Sequence, residues 1–585
     1  MERLVPLLVL AFTACGCVHD EPEDAPEHAV SGPEYTDIVI RLNVANPAAG
    51  TPDTRSGQGT AGTKAGSILD PDEDEYTLGF TKEEHRIHSL TLIMTNVRPD
   101  GSESFDFSQT VMTDAAQENA GTISAIFNLS GKKGRKRFYV GANMSQKHIG
   151  VFTVDGQVID LSDDSEGHNI VGQLMEIDHT TGAGSRILMT GRVIGNNGQT
   201  DFDLTELDGQ FETSREDDAI TISVKEPVRL TKAVSKVLMT CQTYSGSGED
   251  KLVQILDAKD QEEGTATYTG WLHLENVRYI LNVLNRKTYA VYREALDGNT
   301  PYLADPNLDI SVMVEKRTST ADGSETYGPR DLEDYLDNFV YYDTQHMVEM
   351  LTSDTPPDDG DCRRSVAAEY DKSRLGADAV NHYTDGLYCP ENMVHKDIAF
   401  GPDENDEFTA ANRLVSTHIV IGGKYVPRTV WILENEGQDD EKLVQYTSPT
   451  EEESAGLLES DLNEDLGVTY EDGTFWYEIN DHEYYTYRAM EYKTLNDPEA
   501  VFTRHDGGWG YWFSMIEGQN ENGVISNWNQ EYWGLKRNHY YIVNVTRIIT
   551  PGSSSPGNEA MMVHSELLDW IDQGGENVEV TVPQK

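Results

Sequence analysis

Carboxylate and amide oxygens gather in one stretch of the chain, where they could bind a metal ion. Asp297 and Asn299 are followed by Asp305, Asn307 and Asp309, and calcium takes hard oxygen ligands of this kind from loops. The spacing does not match an EF-hand loop, and a solvated acidic turn explains the same residues. We predict no metal site and no cofactor, with calcium at this stretch as the alternative.

Three cysteines lie beyond the amino-terminal region. Cys362 and Cys389 fall in the same part of the chain and could form a disulfide in an exported protein, which would leave Cys241 as a buried thiol. Free thiols at both positions are the alternative. The 16 histidines are scattered without the paired spacing of zinc ligands.

Sequence motifs of the common enzyme classes are missing. The chain has no His-Glu-x-x-His, no Gly-x-Ser-x-Gly, no Walker-type phosphate loop and no Gly-x-Gly-x-x-Gly between a strand and a helix. Paired carboxylates carry little information in so acidic a chain. We predict that the protein is not an enzyme.

Aromatic residues concentrate near the carboxyl terminus, at Trp509, Tyr511, Trp512, Trp528 and Trp533. Such rings could form a platform on which a glycan stacks. Aromatic side chains also dominate the cores of β-sandwiches, and we predict that these rings fill a core.

The net charge excludes one class of partner. The 585 residues carry 45 Lys and Arg against 101 Asp and Glu, a formal net charge of −56, so nucleic acid would be repelled. The length allows at least two domains, and 37% hydrophobic residues suffice for buried cores. Frequent Gly, Tyr, Thr and Val predict an all-β fold.

The amino terminus indicates export. Leu4–Ala14 is an apolar run too short to span a bilayer but typical of a signal peptide. It ends in Cys15-Gly16-Cys17, followed by an acidic stretch, and resembles a bacterial lipoprotein lipobox. We predict that residues 1–17 are the signal peptide and that Cys17 is acylated, with Cys15 as the alternative site and a plain secretory signal as the alternative reading.

One strand is predicted to stand apart from the rest of the chain. Ile38, Ile40, Leu42 and Val44 share one face at period two, as in a half-buried strand. The following residues 46–66 are rich in Gly, Pro, Thr and Ala and have almost no large apolar group. Such a segment is accessible to proteases. We predict cleavage after Arg55, with Ser56 as the new terminus, Lys64 as the second choice, and residues 18–55 as a propeptide that carries the removable strand.

Strand-like runs recur after this linker and restart near Lys225, so we predict domains at 56–224 and 225–559. The second domain is expected to carry long acidic loops as insertions, with short helices at Leu332–Val340 and Val348–Leu351. Residues 560–585 form a terminal segment in which Val578, Val580 and Val582 again alternate with polar residues.

The chain resembles the fimbrillin family of type V pili and is most similar to a minor-fimbria (Mfa-type) shaft subunit. The resemblance rests on the order of several segments: the lipobox, the first strand and its Arg-containing linker, Phe138–Asn143, Val228–Val237, Tyr388–Asn392 and Arg537–Tyr541. It implies two tandem transthyretin-like β-sandwich domains with long loops and a few short helices.

The resemblance also implies a function. Members of this family reach the outer membrane as lipoproteins, lose an N-terminal strand to an arginine-specific protease, and polymerise head to tail by donor-strand exchange. This chain would then be a shaft subunit of a surface fimbria that supports adhesion and biofilm formation, with anchor and tip subunits as further partners. A pilus tip adhesin or a monomeric surface glycan-binding lipoprotein is the alternative.

Overall fold

The computed structural model describes residues 35–45, 76–160, 187–291, 314–354, 364–395, 416–516, 532–556, 563–569 and 578–581, with shorter gaps inside these ranges. Strands dominate and helices are few and short, which confirms the predicted all-β class. In the described part of the chain, no helix is long and apolar enough to cross a membrane.

Thirteen strands are described in the first unit. They are β1 (Tyr35–Ala45), β2 (Tyr76–Thr77), β3 (Phe80–Thr81), β4 (Ser89–Val97), β5 (Glu103–Met112), β6 (Thr122–Lys132), β7 (Arg135–Ala142), β8 (Val158–Asp160), β9 (Met189–Arg192), β10 (Phe202–Asp203), β11 (Glu212–Glu216), β12 (Ala219–Ser223) and β13 (Thr231–Lys232).

Two sheets of the first unit face each other across one core. One has the order β11-β12-β1-β6, and the other has the order β13-β9-β7-β4-β5, with β10 added beside β7. Alternation along each strand turns one set of side chains inward, so Ile40 and Phe127 of the first sheet join Leu92 and Val140 of the second in one buried cluster. The two sheets therefore form a sandwich.

The second unit begins after Lys232. Its strands are β14 (Val234–Cys241), β15 (Thr243–Ser245), β16 (Lys251–Val253), β17 (Gly270–Leu272), β18 (Arg278–Asn282), β19 (Leu284–Asn285), β20 (Lys287–Tyr289), β21 (Val314–Thr318), β22 (Glu325–Pro329), β23 (Phe339–Val340), β24 (Arg364–Val366), β25 (Ala368–Glu369), β26 (Leu387–Pro390), β27 (Asn392–His395), β28 (His418–Pro427), β29 (Thr429–Glu434), β30 (Lys442–Thr447), β31 (Trp476–Ile479), β32 (Glu483–Tyr485), β33 (Thr503–His505), β34 (Trp509–Met515), β35 (Tyr532–Leu535), β36 (His539–Val545), β37 (Val563–Asp569) and β38 (Val578–Thr581).

The second unit has its own core between two larger sheets. One has the order β25-β14-β36-β37-β38 with β26 beside β14, and the other has the order β17-β28-β18-β24 with β34 beside β28. Met239 and Val543 from the first of these sheets pack with Ile421 and Trp512 from the second.

β14 belongs to both cores, because all eight of its residues are buried. Val237 and Met239 face the second core, while Val234 and Leu238 are part of the first core. Ile542 of the neighbouring β36 also lies in the first core. One sheet thus joins the two units.

A small third layer is inserted between β28 and β34, which are themselves paired neighbours. Its sheet has the order β30-β29-β32-β31-β33. One face contributes Trp476 to the second core, and the other packs Tyr477 and Tyr485 against Ala489 of a helix. The sequence predicts long acidic loops as insertions in this part of the chain, and it does not predict that they include a sheet of five strands.

The described helices are α1 (Gln146–Gly150), α2 (Thr344–Thr352), α3 (Glu451–Ser460) and α4 (Tyr487–Asn496). The predicted helix at Val348–Leu351 lies inside α2, whose first turn is capped by the Asp343 side chain, which accepts from the His346 backbone N–H at 2.8 Å. The prediction of a helix at Leu332–Val340 is wrong at its end, because Phe339 and Val340 form β23 and pair with β19.

Candidate functional site

β1 is a central strand of its sheet. It pairs with β6 in antiparallel register from Tyr35 opposite Lys132 to Ala45 opposite Thr122, and with β12 in parallel register from Ile38 opposite Ile220 to Arg41 opposite Ser223. Beyond β12, the Val228 N–H donates to the Asn43 carbonyl at 2.7 Å. Both edges of β1 are therefore engaged.

The inner face of β1 fills the first core. Ile38, Ile40, Leu42 and Val44 are each no more than 2% exposed. Burial of four such side chains contributes roughly 6–12 kcal/mol of gross stabilisation before the entropy of ordering the strand is subtracted.

The walls around these four side chains come from the neighbouring strands. On β6, the partners in register are Leu129, Phe127, Ala125 and Ile123, and on β12 Ile222 stands opposite Ile40. All five are buried. Without β1, they would line an apolar groove open along its length; we call this set of walls the first-strand groove.

The outer face of β1 has a different character. Arg41 and Asn43 are exposed, and the Asn43 side-chain oxygen accepts from the Ser124 hydroxyl at 2.8 Å. Arg41 lies within the ladder, so its backbone is held in place by pairing on both sides. The predicted cleavage site at Arg55 and Ser56 and the second choice, Lys64, lie outside the described residues.

The carboxyl-terminal strand stands at the edge of its sheet. β36 pairs with β37 over seven residues, and β37 pairs with β38 from His564 opposite Thr581 to Leu567 opposite Val578. β38 is last in the order of described strands, so β37 is its one described neighbour. Val578 and Val580 lie in β38, and Val582 lies outside the described residues.

The structure describes one of the two cysteines of the predicted disulfide. Cys389 is a free thiol on β26, where it is wholly buried in the second core and its Sγ contacts the Pro390 carbonyl oxygen at 3.2 Å. Cys362 lies outside the described residues, so its pairing stays a prediction. Cys241 is likewise free and buried, as predicted. Burial raises the pKa of both thiols, which makes them unreactive.

The aromatic residues near the carboxyl terminus contribute to the core. Tyr511 is 4% exposed and Trp512 is fully buried in the second core. Trp509 packs against the same core and lies 5.3 Å from the Arg278 guanidinium, while Trp528 and the side chain of Trp533 lie outside the described structure. The rings of Tyr511 and Trp512 are thus not available as a glycan platform.

Other predicted sites fall outside the described residues. These are the acylation candidates Cys15 and Cys17 and the calcium candidates Asp297, Asn299, Asp305, Asn307 and Asp309. Where the structure describes the chain, no group of three or more His, Cys, Asp or Glu side chains is arranged to hold a metal ion.

Sequence reasoning missed the walls of the first-strand groove. A signal was present, because Ile123, Ala125, Phe127 and Leu129 recur at every second position along β6, as the inner residues of β1 do. The pattern identifies a strand, but it does not say which strand will be its neighbour.

Comparisons with known proteins gave matches to solved structures. No protein-family model matches the chain, and no curated protein matches it. Structural neighbours are fimbrial and cell adhesion proteins. A proposed cell adhesion protein from Parabacteroides distasonis is 12% identical with a TM-score of 0.38, and 92% of this chain covers 100% of that one.

Two further neighbours come from Porphyromonas gingivalis. The fimbrilin FimA is 12% identical with a TM-score of 0.34, and 94% of this chain covers 99% of it. The tip fimbrial protein Mfa3, truncated at its carboxyl terminus, is 11% identical with a TM-score of 0.29, and 91% of this chain covers 100% of it. At these identities and TM-scores, the similarities carry no argument about function.

Proposed function

We propose that this protein is a structural shaft subunit of a cell-surface fimbria, in which β1 is removed after export and replaced by a strand from the next subunit. One observation carries the proposal. β1 is a central strand with four buried inner side chains, yet its covalent connection to the rest of the sheet runs through residues 46–75, which contain Arg55.

Removal of β1 would leave a subunit with an open edge and an open groove. The N–H and C=O groups of β6 and β12 that now pair with β1 would face an open edge, and the first-strand groove would expose apolar walls to water. Unpaired edges and apolar grooves of this kind recruit another strand. A second copy of the chain supplies one at the site of assembly.

The donor that we propose is the terminal segment 560–585, with Val578, Val580 and Val582 entering the groove. β38 pairs with β37 along one edge. On entering the groove it would lose this ladder of hydrogen bonds and form two, one with β6 and one with β12. Three valines contribute roughly 1.5–3 kcal/mol each before ordering costs. Donor and acceptor are different surfaces, so the contact is head-to-tail and propagates as a filament.

Export and maturation complete the proposal. The precursor would be acylated at Cys17, held at the outer membrane by its lipid, and cut after Arg55 by an arginine-specific protease. We expect fatty-acid labelling to be lost in Cys17→Ala and kept in Cys15→Ala; the reverse result would move the site to Cys15. A filament whose subunits begin upstream of Thr36 would contradict strand removal.

The alternative functions differ in what they require. A tip adhesin needs an acceptor groove but no free donor, and the alternating terminal segment disfavours it. A glycan-binding lipoprotein needs exposed rings, and the burial of Tyr511 and Trp512 disfavours these two as its platform. Adhesion and biofilm formation would then follow from the filament as a whole.

Deletion of residues 577–585 tests the proposal. We expect a folded, secreted subunit that begins at Ser56 and stays monomeric, as measured by electron microscopy and size-exclusion chromatography. Val580→Asp should nearly match the deletion, because it places a charge in an apolar groove. Glu579→Gln, one residue away on the opposite face, is the matched control and should polymerise normally. Filaments of normal length from the deletion variant would overturn the donor assignment and make Met561–Ile571 the next candidate.

A further inference from the structure

Lys136 is a buried lysine that the proposed function does not use. Its side chain is 0% exposed, although an ammonium group is costly to remove from water. Its Nζ contacts the side-chain oxygen of Asn96 and the carboxylate of Asp106. The Asp106 side chain is itself only 12% exposed. An amine, an amide and a carboxylic group thus meet in one nearly closed site.

The register of the second sheet of the first unit creates this meeting. Asn96 on β4 stands directly opposite Lys136 on β7, and side chains opposite each other on one face of a sheet are in contact range. Asp106 comes from the strand on the other side of β4. A bulge between Met94 and Thr95 shifts the register there, which leaves Asp106 without an opposite residue.

Apolar rings close the site on its other side. Phe202 of β10 stands opposite Lys136 and is fully buried. Its ring centroid lies 5.6 Å from that of Phe138, which is also buried. The site therefore lies at the margin of the first core, where water is largely excluded.

We propose that Lys136 and Asn96 form an intramolecular isopeptide bond, with Asp106 as the acid–base group. The Asp106 carboxylate takes a proton from the Lys136 ammonium, and the neutral Nζ attacks Cγ of Asn96. The Nζ–Cγ bond forms and the Cγ–Nδ2 bond breaks. Asp106 returns the first proton to the departing nitrogen and takes up the second proton from Nζ, so it ends as the neutral acid. The products are a secondary amide and one molecule of ammonia, so the step needs no oxidant, reductant or other reactant.

Two features of the site favour a reaction that free lysine and asparagine do not undergo in water. The fold holds amine and amide in contact, and such positioning replaces a very high concentration of the reactant. The Asp106 carboxylate contacts the amine, and a positioned carboxyl group serves the proton transfers. The product amide is neutral, so the site no longer contains a buried ammonium.

The bond would tie β4 to β7 across the centre of the sheet. Its two residues are 40 positions apart in sequence, and a covalent link between them prevents the two strands from sliding or separating. This inference rests on Lys136 and its neighbours alone and holds whether or not the chain forms filaments.

The mass of the purified, folded chain tests the proposal. We expect a deficit of about 17 Da, one ammonia, relative to the same protein without the bond. Digestion with trypsin should join residues 87–132 to a peptide that contains Lys136. A second protease that cuts after Glu103 separates Asn96 from Asp106 and identifies the acyl partner. Tryptic cleavage after Lys136, with no mass deficit in either peptide, would overturn the proposal. A loss of about 18 Da, one water, with a link from Lys136 to Asp106 would also overturn it.

Variants separate the bond from a merely structural ion pair. Lys136→Arg keeps the positive charge but cannot form the amide, so it should show the full mass and a lower melting temperature. Asp106→Asn should leave Lys136 and Asn96 in place but lose the deficit. Circular dichroism checks that both variants fold. A full deficit in folded Asp106→Asn protein would overturn the role of Asp106, and a full deficit in Lys136→Arg would overturn the bond itself.

Discussion

β1 and β38 have nearly the same apolar pattern but opposite positions in their sheets. Ile38, Ile40, Leu42 and Val44 alternate along β1, and three valines alternate along the terminal segment. β1 has a partner on each side, whereas β38 pairs with β37 and is last in the order of described strands. The same pattern can therefore serve as an integral part of a core or as a strand at an edge.

The two strands differ in the free energy needed to remove them from their sheets. Loss of β1 breaks two ladders and empties four buried positions, while release of β38 breaks the single ladder that the structure describes for it. Because the loss of β1 removes many stabilising contacts, the groove that it leaves would bind a replacement strand strongly. Because a single described ladder holds β38, this strand is suited to be the donor. Substitutions in β1 and in β38 test this difference.

The largest effect is expected from a charge inside β1. Ile40→Asp places a carboxylate between Phe127 and Ile222, where no cation faces it in register. We expect the uncut protein to lose about 4 kcal/mol or more of its unfolding free energy, measured by urea titration. Arg41→Gln, on the exposed face of the same strand, is the control and should change it by less than about 0.5 kcal/mol. Equal losses in both variants would contradict the assignment of faces.

A smaller effect is expected from returning β1 as a separate peptide. The protein is cut after Arg55, the fragment is removed under denaturant, and the remainder is refolded. A peptide of residues 35–45 should then stabilise it by about 2.7 kcal/mol at a hundredfold excess over its Kd. The uncut protein should not respond, because its groove is filled, and a peptide with Ile40→Asp should not bind. A response of the uncut protein would show that the peptide binds elsewhere.

Alkaline unfolding compares the two units. Burial raises the pKa of Tyr139 in the first unit, with the nearby Glu103 carboxylate adding to the shift, and burial raises the pKa of Tyr511 in the second. Unfolded tyrosine ionises near pH 10. These folded tyrosines keep their protons above that pH, so the unfolded state binds fewer protons and stability falls as the pH rises past about 10.

Replacing either tyrosine with phenylalanine should flatten this fall by up to about 1.4 kcal/mol per pH unit. Because β14 contributes to both cores, we expect one unfolding transition, which both variants alter. Tyr511→Phe is the cleaner variant, since Tyr139→Phe also removes hydrogen bonds to Glu103 at 2.7 and 2.8 Å. Two separate transitions, each altered by one variant, would show that the units unfold independently.

The smallest effect on the subunit itself is expected at β38. Val580→Asp should change the unfolding free energy of the monomer by less than about 0.5 kcal/mol, because β37 is the one described neighbour of β38. The same residue is expected to be decisive in the filament. A loss comparable to that of Ile40→Asp would mean that β38 is integral to its own sheet, which would remove it as a donor.

Much of the fold could be predicted where a pattern is local. The alternation of apolar side chains predicts β1 and its four inner residues. The apolar run that begins at Val228 covers β14 and the residues just before it. The short helix at Val348–Leu351 was also found. The inserted layer at 429–505 was not, because its aromatic residues are spread over five short strands and a helix, and no single run of them signals a sheet.

The sequence by itself determined the class of the protein and the strands that alternate, since the two faces of a strand follow directly from which residues are apolar. Only the tertiary structure decided which strands are neighbours. Register brings Asn96, Asp106 and Lys136 together from three strands, and packing buries Cys389 in a core. Such contacts join residues far apart in the chain, and their energies depend on the whole sandwich, so no local pattern can encode them.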